Sequence, residues 1–489
     1  MNASRRVKGT MALSSLLLGV MLGGCEVGPD YKAPKSDLAE FHNLNDAAPK
    51  NRKSAVQLES WWTGFNDPLL VNLVDRALKQ NLDLSAALAR VDQARAGAEG
   101  AGAALLPMVD LNGSIGYSHE SLKSASGSVS HNASGFQRDA WDKAVGPVAS
   151  WEIDLFGGLR RGAAAAANTA EAAQAEEIGT RVIVAADTAD AYMQVRGYQA
   201  RLAVAEAQVK IDQQLLDLIH NRYDSGEATQ LEIAQAEALL KDAKASLPPL
   251  RLGLERQLNR LDVLLGAQPG TYAHELGIVK DIPAVPAFSG TEQASDILRR
   301  RPDIIAAERH LAASNERIGQ AISDYYPKIS ISGALGLDSI SASHFFSPSA
   351  FGALATGALR WRIFDFGKVD AEVAQAKGEN AEALATYKQT VLKACEDVEN
   401  ALAALIQTQL HIAELEGQVA SLSRVQELSQ QAYQAGSITL TDVLDANRQL
   451  LAAEDALDTN RADAARASVA AFRAFGGGWD PGAAKVASN

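Results

Sequence analysis

Apolar and polar residues alternate in four short stretches of this chain, and each pair of stretches opens into a very long Ala-rich run. In the first stretch Val109, Leu111, Ile115 and Tyr117 alternate with Asp110, Asn112, Ser114 and Ser118, the period-two pattern of a strand with one apolar face. Ala149, Trp151, Ile153 and Leu155 stand against Ser150, Glu152 and Asp154 in the second. The third sets Ile329, Ile331, Leu335 and Leu337 against Lys328, Ser330 and Ser332, and the fourth sets Leu359, Trp361 and Ile363 against Arg360 and Arg362. Strands are therefore expected at about 106–118, 144–156, 327–338 and 352–364, with a long polar loop at 119–142 and a shorter one at 339–350.

Elsewhere the spacing is helical. Leu69, Leu70, Leu73, Val74, Ala77 and Leu78 start a helical pattern from Pro68 to about Ala104, which Pro107 ends. Long helices are expected at about 160–221 and 368–434; at 1.5 Å per residue these measure ~90 and ~100 Å. Shorter ones are expected at Glu227–Leu265, interrupted by Pro248-Pro249, and at about 292–322. In the second long helix Val391, Val398, Leu405, Ile412 and Val419 recur every seven residues, with Ala394, Ala401, Leu415 and Leu422 between them. That is an a/d seam, which implies left-handed supercoiling against neighbours. The two shorter helices of each half are together about as long as its long helix, so end to end they could run alongside it.

The chain is internally duplicated. Trp361-Arg362-Ile363-Phe364-Asp365-Phe366-Gly367 repeats Trp151-Glu152-Ile153-Asp154-Leu155-Phe156-Gly157 at 361 − 151 = 210 residues. Tyr223-Asp224-Ser225-Gly226 recurs as Tyr433-Gln434-Ala435-Gly436 at the same offset, whereas Leu106-Pro107 recurs as Tyr326-Pro327, and Leu82-Asp83 as Pro302-Asp303, at 220. A period this long is duplication of a half-protein, not a solenoid. The boundaries that follow are a leader at 1–24, an N-terminal tether at 25–66, a first repeat at 67–265, a Pro-containing linker at 266–290, a second repeat at 291–475 and a tail at 476–489.

Composition narrows the class. Net charge is −13, and −16 without Arg5, Arg6 and Lys8 of the leader, which argues against a nucleic-acid partner, since such affinity comes from neutralising phosphates. Mean hydropathy of −0.09 and 6% aromatics exclude a helical membrane bundle. The leader combines those cations with an apolar stretch from Met11 to Met21 and ends Leu22-Gly23-Gly24-Cys25, a secretory signal too short to span a bilayer. Small residues before a cysteine resemble the bacterial lipoprotein signal, which makes Cys25 the acylated first residue. By the same resemblance, Glu26 rather than aspartate next to it implies the outer membrane. Cys395 is then the remaining thiol, with no disulfide partner, and its place beside the heptad seam makes it a packed small apolar residue.

Four strands cannot close a barrel, because membrane barrels begin at eight. An open sheet with an apolar face needs lipid or further copies; with more copies, Trp151 and Trp361 suit an aromatic girdle at the membrane interface. A soluble sandwich with both tryptophans in its core is the alternative. The eight histidines are scattered, and Walker A, G-x-S-x-G and H-E-x-x-H motifs are absent, so no enzyme activity, metal site or cofactor is expected.

With these residues assembled, the chain resembles the outer-membrane factors, the TolC-like exit ducts of tripartite efflux and type I secretion systems, and within them the NodT-type lipoprotein branch associated with drug efflux. The resemblance rests on Cys25 with Gly28-Pro29-Asp30-Tyr31, Arg300-Arg301-Pro302-Asp303-Ile304, the two tryptophan corners, Tyr433-x-x-Gly436, Asp442-Val443-Leu444-Asp445-Ala446, and Gly476-Gly477-Gly478-Trp479. It implies a mostly α fold with a transmembrane β part: four strands per chain toward a trimeric 12-stranded barrel, plus a helical coiled-coil tunnel through the periplasm. It also implies a homotrimer in outer-membrane lipid, with a periplasmic adaptor docking at the hairpin tips marked by Gly226 and Gly436. An inner-membrane pump of the resistance-nodulation-division type would supply the energy. A type I secretion duct and a non-pore, lipid-anchored coiled-coil scaffold are the competing readings.

Asp442 and Asp445, three residues apart, would share a helix face. Their counterparts in relatives face the axis at the closed periplasmic end, where a trimer gathers six carboxylates; the alternative is that they cap the helix start. The resemblance also implies a tip latch between Tyr433 and Glu232, the first-half equivalent of Asp442. Ile438 stands where relatives carry an arginine, so the latch here should differ.

Overall fold

The computed structural model describes residues 26–34, 40–44, 57–134, 136–286 and 294–480. After a 3-10 helix at Leu58–Phe65 come α1 (Pro68–Gln80), α2 (Leu82–Ala103), β1 (Met108–His119), the short α3 (Ala125–Ser130) and β2 (Asp139–Ile153). Then follow α4 (Gly158–Asp224), α5 (Gln230–Leu264), the one-turn α6 (Ala273–Leu276), α7 (Ala294–Arg300) and α8 (Pro302–Ser323). The rest is β3 (Lys328–Ser339), β4 (Phe351–Arg360), α9 (Lys368–Gln434) and α10 (Leu440–Ala474). Four pairs of elements match to the residue: α4 and α9 have 67 residues each, α5 and α10 35, α2 and α8 22, and β1 and β3 12.

The chain divides into two compact units. One takes its described residues from Met1–Pro34, Asp92–Ala172 and Glu308–Thr386 and holds the sheet, an antiparallel meander in the order β1-β2-β3-β4. Met108 faces Ser150 in the first hairpin and Lys328 faces Arg360 in the second, the same register displaced by 220 and 210. β2 starts at Asp139, so it takes four residues from the expected 119–142 loop and puts Trp141 beside Tyr117, ring centroids 5.4 Å apart. β4 ends at Arg360, which leaves Trp361 and Ile363 beyond the strand rather than on it. The two outer strands are exposed along their whole length, with Val109, Leu111 and Ile115 bare on β1 and Leu354 and Leu359 on β4. Such edges carry unpaired backbone groups and seek another strand.

The other unit takes Lys35–Val91, Ala173–Ala307 and Tyr387–Asn489 and holds most of the aromatic core. Here the structure corrects the expectation of an extended tether up to residue 66. Residues 58–65 fold into a 3-10 helix whose Trp61 is 0% exposed and stacks on Phe472 of α10 with centroids 5.4 Å apart. The Gly476-Gly477-Gly478 run lies against it. The Gly478 amide donates to the Leu58 carbonyl at 2.7 Å, and a Cβ on Gly477 would come within 2.9 Å of the Trp61 ring. Of the heptad seam, Val391, Val398 and Leu405 are buried, while Ile412 and Val419 are half-buried.

Three helix boundaries differ from the sequence pattern. The 68–104 helix breaks at Asn81 and the 292–322 helix at Arg301, positions equivalent under the 220 offset. Each buried polar residue serves a carbonyl at the end of a returning helix: Asn81 Nδ2 donates to Leu264 at 3.0 Å, and Arg301 Nη1 to Ala474 at 3.0 Å. Helix-end carbonyls have no partner within their own helix, so the break places a donor where one is needed. Conversely, α5 runs unbroken through Pro248-Pro249. The linker after it is fastened by buried side chains, since Asp262 accepts from the Gly270 and Tyr272 amides and Arg196 donates to the Ile278 carbonyl.

Candidate functional site

The two helical turns are built alike. Gly226 and Gly436 have φ of +79° and +73°, a conformation glycine adopts without strain at a helix C-terminus. Their amides donate to Tyr223 and Tyr433, and those of Glu227 and Ser437 to Arg222 and Ala432, at 2.8–2.9 Å. A Cβ on either glycine would meet nothing within 4 Å, so both turns are open.

Beyond each turn a threonine caps the next helix. Glu232 Oε2 accepts from the Thr229 amide (2.7 Å) and hydroxyl (3.0 Å), while the Glu232 amide donates to Thr229 Oγ1 (3.3 Å), a full capping box. Asp442 Oδ2 takes the amide and hydroxyl of Thr439 at 2.9 and 2.7 Å. Those bonds hold its carboxyl below the ordinary value, the hydroxyl first and the amide second. The signals were legible: Thr229-Gln230-Leu231-Glu232 and Thr439-Leu440-Thr441-Asp442 both carry the box spacing. Capping of the helix start, the alternative open in the sequence, therefore describes Asp442. It does not describe Asp445, whose carboxylate pairs with Arg448 (2.8 Å) and Gln449 (2.6 Å) of its own helix.

Glu232 has a second contact. The Tyr433 hydroxyl donates to Glu232 Oε1 at 3.5 Å, long for an O–H···O bond, and the buried ring packs with Leu216, Ile219, Leu240, Leu440 and Val443. Burial raises the phenol's pKa, against the Arg222 charge, which lowers it. Ile438 lies half-buried against this cluster. The guanidinium at the tyrosine is instead that of Arg222, 5.0 Å from its ring centroid, at cation–π distance. Arg222 escaped the sequence reading because its contact joins the ends of two helices some 210 residues apart, with no local motif.

Deeper in the same helices, Asp212 on α4 is 1% exposed. Gln208 donates to Oδ1 at 2.8 Å, and Oδ2 has no partner among the described residues. Burial pushes the carboxyl up to about 6, with the nearby Asp242 charge adding to it. The folded state thus holds this proton more tightly than the unfolded chain, whose aspartates titrate near 3.9. Its contribution is complete below that value and is lost as pH rises through about 6. Asp212→Asn should therefore leave stability at pH 4 nearly unchanged and raise it by about 3 kcal/mol at pH 8. Denaturant melts at both pH values check this, and equal changes at the two would contradict it.

At the strand–helix corners, Asp154 accepts the Leu159 and Arg160 amides and Asp365 those of Gly367 and Val369, so a carboxylate starts each long helix. Trp151 and Trp361 are 37% and 55% exposed, and their indole N–H groups donate to equivalent carbonyls, Leu105 and Tyr325, both at 2.9 Å. The first corner also carries the chain's N-terminal segment. Buried Arg161 pairs with Glu26, Asp30 and Glu316 at 3.1, 2.9 and 2.7 Å, and the Val27 amide donates to Phe156. Cys25 itself lies outside the described residues. Among these residues no helix is long and apolar enough to cross a membrane, and no group of three or more His, Cys, Asp or Glu side chains could hold a metal.

Comparison with known proteins places this geometry. The family model "Outer membrane efflux protein" matches residues 73–267 and 294–477, one segment per repeat. Nodulation protein T of Rhizobium leguminosarum bv. trifolii is 30% identical, over 94% of this chain and 96% of the relative. The pyoverdine export outer membrane protein OpmQ of Pseudomonas aeruginosa is 32% identical, over 96% and 97%. Among solved structures, the outer-membrane channel OprN superposes with a TM-score of 0.83 at 32% identity, over 94% of this chain and all of that one. The open MtrE channel of Neisseria gonorrhoeae gives 0.77 at 26%, over 93% and 99%. The repeat, the four-stranded sheet and the paired long helices are thus shared over nearly the whole length, and the chain belongs to the outer membrane efflux protein family.

Proposed function

We propose that three copies of this chain form the passive exit duct of a tripartite efflux system. Their sheets make a 12-stranded barrel in the outer membrane, and their helices make a periplasmic conduit. The observation that carries the reading is the four-stranded sheet with both edges open and apolar, which three copies complete. Cys25 carries the lipid, and Trp151 and Trp361 lie at the membrane interface. The open turns at Gly226 and Gly436 receive a periplasmic adaptor, and an inner-membrane pump, of the resistance-nodulation-division type, drives transport. Asp442 and Asp445 form the periplasmic constriction, and Tyr433 with Glu232 latches it. Purified protein should run as a heat-labile trimer, conduct ions in planar bilayers and incorporate labelled palmitate only when Cys25 is present. A monomer without conductance would return the argument to the scaffold.

The latch makes a graded prediction. A 3.5 Å bond contributes about 1 kcal/mol at most, and the tyrosine's packing and Arg222 contact survive in Tyr433→Phe. Open probability in bilayer recordings should rise, by less than tenfold. Tyr433→Ala, which also empties the cluster, should raise it further, and equal effects would argue that the hydroxyl alone matters.

A further inference from the structure

We propose that Lys143 makes the outer end of the sheet a binding site for the phosphorylated headgroup of an outer-leaflet lipid. Trp141 and Tyr117 frame the headgroup, and the apolar face below them holds the acyl chains. This rests on the reading that the sheet stands in the outer membrane as part of a barrel, and adds a ligand to it.

The register puts the odd-numbered residues of all four strands on one face: Val109 meets Ala149, Val145 meets Leu337 and Ile329 meets Leu359. That face is apolar, with Leu111, Ile115, Leu335 and Phe351 each more than half exposed on it. Asp110, Asn112, Ser330 and Ser332 occupy the other face, so in a barrel the odd face meets lipid and the even face the lumen. Trp141 and Trp151 both stand on the lipid face of β2, 151 − 141 = 10 residues apart. That is ~34 Å along the strand. At a tilt of ~40° it spans ~26 Å of membrane, the height of the apolar band in such barrels. The long helices begin beyond the Trp151 end, so Trp141 and Tyr117 mark the outer leaflet.

Lys143 breaks the apolar pattern. It lies one row inside Trp141, opposite Ile115 and Ser339, and between the levels of the two tryptophans that face carries no other charged side chain. An ammonium surrounded by lipid has to reach the headgroups, and this one leans toward them: Nζ donates to the Trp141 carbonyl at 3.5 Å.

The chain supplies no counter-charge. Among the described residues no carboxylate forms an ion pair with Lys143, and the acids at this end of the sheet are engaged elsewhere. Asp139 accepts from the Tyr117 hydroxyl and pairs with His119, both at 2.6 Å. Asp142, next to the lysine, points to the opposite face and shares a hydrogen bond with Asp338. Glu120 accepts from the Ser124 and Ser126 hydroxyls at 2.7 and 2.6 Å. The anion that completes Lys143 therefore comes from outside the chain, at the depth where lipid phosphates lie.

Native mass spectrometry of the full-length protein in detergent, with lipid A as the probe, tests this. Wild-type trimers should bind lipid A and bind its dephosphorylated form roughly tenfold more weakly, the worth of one charge-assisted hydrogen bond. Lys143→Met should bring lipid A down to that weaker level, and Lys143→Arg should retain the tighter binding. Lys123→Met, which removes a cation from the hairpin loop, should bind as wild type does. Equal binding of the two lipids by wild type, or undiminished binding by Lys143→Met, overturns the site and leaves a lysine that only snorkels to water. An equal loss in Lys123→Met overturns it in favour of unspecific charge attraction. Displacement of lipid A by millimolar inorganic phosphate would assign the cation to free phosphate and end the lipid proposal. In all four cases the trimer stands; a wild-type chain that is not trimeric removes the barrel reading and the site with it.

Discussion

Asp442→Asn with Asp445→Asn should abolish block of the channel by trivalent cations added from the periplasmic side while leaving the melting temperature nearly unchanged. The two effects separate because Asp442 engages Thr439 through Oδ2 alone, both bonds ending on that oxygen. One carboxylate can therefore cap α10 and still present its other oxygen outward. An asparagine oxygen can still accept from the Thr439 amide and hydroxyl, and the charge is lost. In a trimer the double substitution removes six negative charges from a narrow, low-dielectric passage, where fields are focused. The half-blocking concentration should rise more than tenfold, at least 1.4 kcal/mol per bound cation. The double alanine variant should lose block equally and, in addition, about 1 kcal/mol of stability. Block that survives in the asparagine variant would take these residues off the pore.

The second large effect is expected far from the turns. Trp61→Ala should cost about 3–5 kcal/mol, the usual penalty for emptying a buried aromatic site. The ring is fully enclosed, stacks on Phe472, meets Trp62 and Phe65 edge-on, and fills the surface left by Gly477. Trp61→Phe keeps the stacking face and should cost less than half as much. Equilibrium unfolding of both variants measures the difference; a loss below 1 kcal/mol for alanine would mean that the 3-10 helix is an ornament on a core that closes without it.

How far the sequence reached depended on how many residues spoke together. Period-two alternation over five to ten positions located all four strands, and α9 spans the stretch its spacing marks. Trp61 was missed because an eight-residue 3-10 helix is too short to display a period, so its tryptophans read as part of a polar tether. The breaks at Asn81 and Arg301 were missed because apolar spacing continues across them; only Pro302 and the helix-starting habit of asparagine gave warning. Pro248-Pro249 misled in the other direction. Neither proline has an amide to offer the preceding turn, yet the chain around them continues as helix. At the turns, the acids and glycines were visible as repeated motifs, while Arg222 over Tyr433 depends on two segments that only folding brings together.

The matched element lengths set which mutations by insertion or deletion this gene can survive. Each residue removed from a helix rotates everything after it by about 100° and withdraws it by 1.5 Å. A one-residue deletion in α4 would therefore turn the Thr229–Glu232 cap and its glycine turn away from Tyr433, while the second-half copies stayed in place. Only a compensating insertion in α4, or a paired deletion in α9, would restore the match between the halves. The offset between the halves changes by ten residues between β1 and β2, where the first hairpin loop is longer than the second. That loop is where length can change without a matching change elsewhere, so it is the place for an inserted epitope tag or reporter peptide.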